Sequence, residues 1–243
     1  MASIQDDHGY NQGFGHSRAL SVRTERRADY IIGKMSRPNE GARILEIGCG
    51  TGEMAFYLAA KTNATVIAID KCPSFIEQAR VNHVRGNLEF DVAHFGESRA
   101  TTSFKEGSFD YVVGNGILHH AYCTLSTILG HIKTLLKNHG SMVFLEPNIL
   151  NPYCALIFNQ PVFRKMAKLD PAEMAFSAQF IRQHLENAGF SEIDIEYKDF
   201  LLPVTPEFLI DPLVFVGNML ERIPLVKKLS QSLFISSKKN NAF

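Results

Sequence analysis

A glycine-rich turn between an apolar strand and a helix is the feature that most constrains how this chain can fold. It lies in the run Ile44-Leu45-Glu46-Ile47-Gly48-Cys49-Gly50-Thr51-Gly52. Its glycines allow a tight backbone path and a close approach to a ligand, and the following helix presents free N–H groups. A second apolar run ends at Asp70, where a carboxylate can accept both hydroxyls of a ribose. The pattern predicts a nucleoside cofactor at the edge of a parallel sheet.

The spacing of the glycines argues against a dinucleotide and against a nucleoside triphosphate. A dinucleotide site favours G-x-G-x-x-G, but position 53 is Glu53, whose carboxylate would lie where the pyrophosphate sits. A Walker loop requires Gly-Lys-Ser/Thr, which this run lacks. A glycine-rich turn without a ligand is the alternative interpretation of this run taken alone.

Composition narrows the class of protein. The 243 residues, 45% of them hydrophobic, suffice for one large α/β domain or for a domain with a cap. The formal net charge is zero, so no global field attracts nucleic acid or an anionic membrane, which leaves only local patches. No apolar stretch is long enough to span a bilayer, and the first residues do not resemble a signal peptide. Scattered cysteines predict reduced thiols in a cytoplasmic protein, and no histidine spacing indicates a metal site.

Short apolar runs alternate with amphipathic segments, which is typical of a parallel sheet with helices on both faces. Strands are predicted at 43–47, 65–70, 87–93, 107–114 (with its turn), 141–146, 193–197 and 232–236. Helices are predicted at 53–61, 73–84, 118–136 and 177–188, and 138–140 reads as a turn.

A further helix is expected near the amino end, with Ser17 as its N-cap and Pro38 and Gly41 ending it. Its apolar residues are expected to face the core: Leu20, Ile31, Ile32 and Met35. Its arginines are expected on the opposite side: Arg18, Arg23, Arg26 and Arg27.

The chain divides into four expected regions. Residues 1–41 form an amino-terminal helix and lid, and 42–148 form the cofactor-binding core. Residues 149–176 are a first cap segment, and 177–243 complete the sheet with a second cap segment at about 201–229. Both segments are rich in prolines, aromatic and aliphatic residues, and ligands of open α/β sheets bind at the carboxyl ends of the strands. The alternative is that both segments are helices that only fill out the fold.

Several motifs in the expected order resemble the class I S-adenosylmethionine-dependent methyltransferases. The sequence Leu-Glu-Ile-Gly-Cys-Gly-Thr-Gly at 45–52 is similar to their first motif. Weaker matches follow at 107–113, 114–120, 135–143 and 144–148, so that 42–148 resembles the family closely and 177–196 loosely. The resemblance implies a doubly wound, mostly parallel seven-stranded sheet with an apolar helical cap, and S-adenosylmethionine as the cofactor.

The resemblance also implies roles for the residues that match the first motif. Gly48, Gly50 and Gly52 would line the methionine and ribose parts of the cofactor, with the small Cys49 between them. Glu46 would position the loop or contact the cofactor's ammonium group.

Further along the chain, the resemblance places Asp70 on the ribose hydroxyls, Lys71 near the adenine and Asn115 against the methionine end. The alternative for Asp70 is a cap on the helix that follows it.

The adenine pocket departs from the family. An acidic residue commonly follows the third strand there, but this chain has His94 and Phe95. A neutral imidazole can accept from the adenine amino group, and Phe95 can stack; Glu97 or Ser98 in the following loop could serve instead.

The acceptor side carries no recognisable motif. His119 and His120 are candidate general bases because an ordinary histidine titrates near neutral pH; the competing interpretation is that the pair packs around the cofactor. Candidate acceptor contacts come from the lid and the first cap segment: Tyr10, Phe14, Arg18, Asn148 and Tyr153.

The expected function is in-line transfer of a methyl group to a small apolar or aromatic molecule at oxygen or nitrogen. The tetrapeptide of the amino-methyltransferases of nucleic acids is absent after the fourth strand, where 115–118 reads Asn-Gly-Ile-Leu, so no nucleic acid is expected. Two alternatives stay open: a methyltransferase acting on RNA or protein, and a non-catalytic S-adenosylmethionine-binding protein.

Overall fold

The computed structural model of the protein describes residues 17–36, 41–95, 104–203 and 205–240. The expected lid residues Tyr10 and Phe14, and the loop alternatives Glu97 and Ser98, lie outside the described residues.

Seven strands form one sheet in the order β3-β2-β1-β4-β5-β7-β6. The strands are β1 (Arg43–Ile47), β2 (Thr65–Asp70), β3 (Leu88–Val92), β4 (Phe109–Asn115), β5 (Leu136–Pro147), β6 (Phe190–Lys198) and β7 (Ser232–Lys239). The first five pair in parallel, and β7 runs antiparallel between β5 and β6. The predicted doubly wound, mostly parallel seven-stranded sheet is confirmed.

Eight α-helices and three short 3₁₀ helices are present in the described parts of the chain. The α-helices are α1 (Arg18–Lys34), α2 (Glu53–Lys61), α3 (Pro73–Asn82), α4 (Leu125–Leu135), α5 (Pro152–Asn159), α6 (Pro161–Met166), α7 (Ala178–Asn187) and α8 (Ile210–Leu220). The 3₁₀ helices are Leu118–Thr124, Glu207–Leu209 and Val226–Leu229. None of the helices in these described ranges has the length and apolar run needed to cross a membrane.

The helices cover both faces of the sheet with two apolar clusters. On one face, buried residues of α1, α2 and α3 pack together on β1 and β2, as Ile31, Leu58 and Ile76 show. On the other face, α4 and α7 pack their apolar sides on β4 and β5. The two clusters account for a sheet whose central strands are buried on both faces, the usual state of parallel strands.

The chain reverses its direction of travel across the sheet between β1 and β4. From β1 it builds outward to β3, then returns to pair β4 on the free side of β1. The carboxyl ends of β1 and β4 therefore meet at a topological switch point, where open α/β sheets bind their ligands. Gly48 follows β1 and Asn115 ends β4, so these residues mark the site.

Both cap segments leave the sheet at this same edge. The first follows the carboxyl end of β5 and holds α5 and α6. The second connects β6 to β7 and holds α8 with two of the 3₁₀ helices.

The structure corrects the expected placement of the arginines of α1. Arg23 is buried and Arg27 is nearly so, with side chains 8% and 11% exposed. Amphipathic patterning assigned them to solvent, but both contact Asp199, which the fold places just after β6. A buried carboxylate supplies the partner that a buried guanidinium requires.

Two predicted boundaries are also wrong. The helix expected at 118–136 begins as a 3₁₀ helix, Leu118–Thr124, which is kinked at Ala121, where φ is −103° and ψ is 28°. The expected turn at 138–140 lies inside β5, where His139 has φ +62°. The pairing with β4 is irregular at this point, since the register shifts between Phe109 and Tyr111.

Candidate active site

The glycine loop after β1 is fastened to the end of β2. The backbone N–H groups of Gly48 and Cys49 both donate to the carbonyl oxygen of Ile69, at 2.8 and 3.0 Å. Gly48 and Gly52 have φ of +70° and +90°, a region that side chains other than glycine rarely adopt. A Cβ on Gly52 would lie 2.7 Å from the ring of Phe90. The loop therefore requires glycine at these positions for conformation as well as for space.

Asp70 bridges the glycine loop and helix α3. Its Oδ2 accepts the backbone N–H of Gly50 at 2.9 Å, and its Oδ1 accepts the backbone N–H of Cys72 at 2.9 Å. A carboxylate oxygen has two lone pairs, so each oxygen can still accept a hydroxyl. The two interpretations of Asp70 are thus compatible, because the same carboxylate fixes the loop, caps α3 and remains able to bind a diol.

Glu46 is the clearest unsatisfied group in this region. The residue is 1% exposed, and its Oε2 has no hydrogen-bond partner among the described residues. Burial, together with the nearby charges of Glu53 and Asp70, raises the pKa of Glu46 to about 8. A buried carboxylate without a partner is costly unless a cation joins it.

These groups together fit the cofactor that the resemblance implies. The unpaired Glu46 oxygen suits an ammonium group, the glycine loop allows close approach and Asp70 suits a ribose. Cys49 is buried in the loop, and burial raises the pKa of its thiol well above its ordinary value. The thiol is therefore protonated at neutral pH and acts as a small packing residue.

The predicted adenine-side residues follow β2 and β3. Lys71 and His94 are exposed. Phe95 is half-buried and its ring lies edge-on to His131, with centroids 6.2 Å apart. The structure thus places Phe95 on an aromatic surface next to the end of β3, and leaves the side chain of His94 directed to solvent.

Helix α1 is tied to the switch point through Arg27. Its Nη1 donates to Asn115 Oδ1 at 2.5 Å, and its Nη2 donates to Asp199 Oδ2 at 2.8 Å and to Ser232 Oγ at 2.6 Å. Burial alone would raise the pKa of Asp199, but Arg23 and Arg27 outweigh it and hold this pKa below its ordinary value. This buried network fixes α1 across the carboxyl ends of β4 and β6 and the start of β7.

A second carboxylate, Glu146 near the end of β5, organises the segment after β4. It is 1% exposed and accepts the backbone N–H groups of Ile117, Leu118 and His119 at 3.0, 2.8 and 3.2 Å. Its Oε2 also contacts Nδ1 of His119 at 2.9 Å. Glu146 therefore caps the 3₁₀ helix and orients the His119 ring at once.

The Glu146 contact fixes the tautomer of His119. A carboxylate only accepts, so Nδ1 carries the hydrogen and Nε2 keeps its lone pair. Burial and then the charge of His120 lower the pKa of His119, against the opposing effect of Glu146. A neutral imidazole with a bare Nε2, held by a third group, has the arrangement of a positioned base.

His120 has a separate partner. Its Nδ1 lies 2.7 Å from Oε1 of the buried Glu173, and its ring lies 4.2 Å from that of His119. Potential ligand atoms of His119, His120 and Glu173 lie within 4.8 Å of one another. Sequence spacing did not predict this group because Glu173 lies 53 residues after His120 in the chain. His120 and Glu173 already hydrogen-bond to each other.

The expected acceptor contacts are scattered. Arg18 is exposed and paired with Glu207 at 2.8 Å, and Tyr153 is 44% exposed on α5. Asn148 is fully buried; its Nδ2 donates to the carbonyls of Lys228 and Ser230, and its Oδ1 accepts from Leu150. This corrects the expectation that Asn148 contacts an acceptor, since its amide joins the two cap segments instead.

Comparison with known proteins agrees with this geometry. A family model described as a methyltransferase domain matches residues 38–189. The chain belongs to this methyltransferase family. Its fold is the class I, Rossmann-like fold of the S-adenosylmethionine-dependent methyltransferases, a family whose cofactor is S-adenosylmethionine.

Curated relatives of this methyltransferase have varied names. A Talaromyces variabilis protein named S-adenosyl-L-methionine-dependent Diels-Alderase iccD is 28% identical over 85% of this chain and 74% of its own length. Ubiquinone biosynthesis O-methyltransferase of Xanthomonas campestris pv. campestris is 29% identical over 53% of this chain and 52% of its own. Lovastatin nonaketide synthase mokA of Monascus pilosus is 30% identical over 71% of this chain. The chain spans only 5–7% of the length of such polyketide synthases and about half that of the O-methyltransferase.

Solved structures share the fold at low sequence identity. A Haloferax volcanii methyltransferase, determined with the Trm112 methyltransferase activator, superposes with a TM-score of 0.69 at 17% identity and covers 99% of this chain and 97% of its own. Phosphoethanolamine N-methyltransferase 2 of Haemonchus contortus, determined with S-adenosyl-L-methionine, has a TM-score of 0.66 at 15% identity. The superposition covers 99% of this chain and 61% of that chain. At these identities the likeness supports the fold alone.

Proposed function

We propose that this methyltransferase transfers a methyl group to a small apolar or aromatic molecule at oxygen or nitrogen. The observation that carries the proposal is the contact between the first cap segment and the site. Phe158 of α5 packs edge-on against His119, with ring centroids 5.9 Å apart. Buried apolar residues of the same segment, Cys154 and Ala175, surround Phe158. An acceptor next to His119 would therefore meet an apolar wall.

The cofactor-binding roles follow from the fit of the residues. Glu46 would bind the ammonium group of the cofactor, and Asp70 would bind its ribose hydroxyls. The backbone of the Gly48–Gly52 loop would lie close to the cofactor. Asn115 and Arg27 border the methionine end. When bound, S-adenosylmethionine supplies an electrophilic methyl group on a sulfonium.

His119 is the residue we assign to the acceptor proton. Its Nδ1–H is held by Glu146, which leaves Nε2 as the atom that can accept a proton from a phenol or an ammonium. Its lowered pKa keeps the imidazole in the neutral, accepting form at pH 7. The ring is 1% exposed, so an acceptor would reach Nε2 by displacing a side chain packed against it, such as Phe158.

The hydrogen bonds that join the segments around the site support a small acceptor over a macromolecule. Arg27 fastens α1 to Asn115, and Asn148 and Asn151 join the first cap segment to the second. A protein or RNA acceptor would need these segments to part. The zero formal net charge gives no long-range attraction to RNA.

A panel of phenols, catechols and aromatic amines tests the proposal. The purified protein is incubated with S-adenosylmethionine and each compound, and S-adenosylhomocysteine and the methylated product are measured by mass spectrometry. We expect product with at least one apolar aromatic acceptor and none without acceptor. Turnover on bulk RNA or on peptides, with none on the panel, would overturn it.

A second candidate is catalysis that uses the cofactor without losing its methyl group. The relative that matches the largest share of this chain among those named above carries the name of an S-adenosylmethionine-dependent Diels-Alderase. This candidate expects S-adenosylmethionine to remain intact while a polyunsaturated substrate is consumed. Quantifying both species in one reaction separates the two candidates, because only methyl transfer yields S-adenosylhomocysteine in proportion to product.

A further inference from the structure

An open cavity of about 180 Å³ lies between α1, the end of β6, β7 and α8. Its charged lining comprises four basic and two acidic residues: Arg23, Arg26, Arg27, Lys198, Asp199 and Glu221. Within the described part of the chain, this lining includes no residue that we assign to the cofactor. Pockets for drug-sized molecules measure about 300–1,000 Å³, so this smaller cavity suits a single ion or one chemical group of a ligand.

The two carboxylates of the cavity already serve three of its basic side chains. Asp199 Oδ2 is shared by Arg23 and Arg27, at 3.0 and 2.8 Å. Glu221 Oε2 lies 3.3 Å from Lys198 Nζ, and its Oε1 accepts the backbone N–H of Asp199. The described lining therefore carries more positive than negative charge.

An acidic residue beside the cavity reduces this surplus without cancelling it. Glu196 Oε2 lies 3.7 Å from Lys198 Nζ, but Glu196 Oε1 lies closer to Lys34 Nζ, at 2.7 Å. The same Oε1 accepts the hydroxyl of Tyr30 at 2.7 Å. Even when Glu196 is counted with the lining, four basic residues face three carboxylates.

Arg26 brings hydrogen-bond donors that the fold leaves available. Its Nη2 donates to the amide oxygen of Asn218 on α8 at 2.7 Å, and it forms no ion pair with another described residue. A guanidinium has five N–H donors in a planar fork, and a neutral amide oxygen does not compensate its charge. Most of the donors of Arg26 can therefore bind a ligand in the cavity.

An aromatic floor underlies these cations. Phe234 of β7 lines the cavity and is 5% exposed, and the Arg27 guanidinium carbon lies 5.8 Å from its ring centroid. Tyr30 lies edge-on to Phe234, with ring centroids 4.6 Å apart. The buried ring keeps water from one side of the cavity, which strengthens the attraction between the guanidinium groups and a bound negative charge.

We propose that this cavity binds a small oxyanion, a carboxylate or a phosphate group, at a site separate from the cofactor pocket. The planar guanidinium fork matches two oxygens of either group, which a spherical halide does not offer. A bound cation would add to the surplus of positive charge. The inference rests on the cavity alone and stands whether or not an apolar acceptor is confirmed.

Titration with inorganic phosphate tests the site. The full-length protein is melted in increasing phosphate, with chloride added to keep the ionic strength constant. We expect the melting temperature to rise and then saturate, as binding to one site of the folded state requires. Excluded salts stabilise any folded protein without saturating, so an unsaturated rise, or no rise, overturns the proposal.

A variant that supplies the negative charge from within the protein gives the sharpest test. Asn218→Asp keeps the side-chain shape and the contact with Arg26, but it places a carboxylate in the cavity. We expect the apparent phosphate affinity to fall by about tenfold or more, because Arg26 then has a charged partner and the anion meets a like charge. Unchanged affinity in this variant overturns the proposal.

Removal of the Arg26 charge tests the same contact from the other side. Arg26→Gln should lower the phosphate affinity by about fivefold or more, the loss of one charge-assisted hydrogen bond. Both variants should keep the stabilisation by S-adenosylhomocysteine, which reports on an intact cofactor site and an intact fold.

Matched controls make the same changes of charge away from the cavity. Arg18→Gln removes an exposed arginine of α1 that pairs with Glu207, and Gln183→Glu adds a carboxylate at an exposed position of α7. We expect both to bind phosphate like the parent protein. An equal loss of affinity in the controls would show a response to overall charge and would contradict the site.

A titration in the presence of the cofactor product tests whether the site is separate. Phosphate is titrated again with saturating S-adenosylhomocysteine, which carries a carboxylate of its own. Unchanged phosphate affinity supports a separate site. Complete loss of phosphate binding would show that the cofactor fills the cavity and would overturn the proposal.

Comparison of acetate, benzoate and benzamide assigns the source of the anion. Benzoate that binds more tightly than acetate, and is weakened by Asn218→Asp, supports the site and assigns it to the carboxylate of an aromatic ligand. Acetate and phosphate that bind as well as benzoate support the site and assign it to a free anion. Benzamide is neutral and should not bind, so benzamide binding equal to that of benzoate overturns the proposal.

Discussion

The Asp70 carboxylate accepts the backbone N–H of Gly50 at 2.9 Å, which couples the glycine loop to the end of the neighbouring strand. The same group caps α3 through Cys72, so the side chain proposed to accept the ribose hydroxyls also sets the shape of the site. Hydrogen bonds within the protein itself therefore shape the proposed cofactor-binding surface.

Replacing Asp70 tests the ribose assignment. Asp70→Ala removes two charge-assisted hydrogen bonds to a bound diol, each contributing about 1.5–3 kcal/mol, so S-adenosylhomocysteine affinity should fall by about 100-fold or more. Titration calorimetry measures the change. Asp91→Ala, at an exposed carboxylate on β3, is the matched control and should bind normally. Full-strength binding by Asp70→Ala would remove the assignment.

The pH dependence of binding tests Glu46. Its pKa of about 8 in the ligand-free protein means that the carboxyl is largely protonated at pH 6 and must lose its proton to pair with an ammonium group. S-adenosylhomocysteine affinity should therefore rise between pH 6 and 8, by up to about tenfold per pH unit. Glu46→Gln should bind more weakly and show no such rise. If the S-adenosylhomocysteine affinity of this variant rises with pH as it does in the parent protein, Glu46 is not the titrating group.

The raised pKa of Glu46 also predicts that the carboxyl group destabilises the folded protein at the pH values at which it can bind an ammonium group. The folded-state pKa is raised above the ordinary value of 4.5, so the folded protein holds this proton more tightly than the unfolded chain. The stability that this proton contributes is complete below about pH 4.5 and is lost as pH rises towards 8. The ligand-free Glu46→Gln protein should gain melting temperature relative to the parent as pH rises from 5 to 8. Differential scanning calorimetry without ligand measures this difference.

The two carboxylates differ in how far sequence could predict them. Asp70 and the glycines belong to local strand–turn–helix patterns, so their positions follow from residues close in the chain. Glu146 reaches the segment after β4 only because β4 and β5 pair in parallel, with Asn115 opposite Leu145. That register depends on the packed sheet, and the sequence predicted the strands without fixing their register.

The arginines of α1 show a second limit. Helical periodicity predicted the helix, but amphipathic patterning treats arginine as a solvent-facing residue. The partner that allows Arg23 and Arg27 to be buried is Asp199, which lies 172 residues from Arg27. A long-range buried ion pair leaves no periodic signal, so the part of the site that α1 contributes could not be predicted.

Replacing His119 tests the proposed base once an acceptor is known. His119→Ala should lower kcat/KM by about 100-fold or more, the usual contribution of a positioned base, with little effect on S-adenosylhomocysteine affinity. Because burial lowers the pKa of His119, the acid limb of the pH–rate profile should lie below pH 6.5 in the parent enzyme and vanish in the variant. His120→Ala, at the exposed neighbour, should retain an acid limb. An unchanged kcat/KM would assign His119 to packing alone.

The buried network of α1 predicts a large loss of stability at a residue far from the glycine loop. Asp199→Asn removes the negative charge that both Arg23 and Arg27 contact, so two buried guanidinium groups lose the carboxylate they share. The free energy of unfolding should fall by about 3–5 kcal/mol in urea titrations. Asp194→Asn, at an exposed ion pair with Lys34, should change it by less than about 1 kcal/mol.

Adding Arg23→Met to Asp199→Asn should recover part of the lost free energy of unfolding, because one of the two buried charges that lost the Asp199 carboxylate is then replaced by an apolar side chain of similar length. Recovery in the double variant distinguishes charge burial from a loss of packing at position 199. If the double variant is less stable than Asp199→Asn alone, the Arg23 side chain stabilises α1 through contacts other than its ion pair with Asp199, and that ion pair is not what holds the helix over the site.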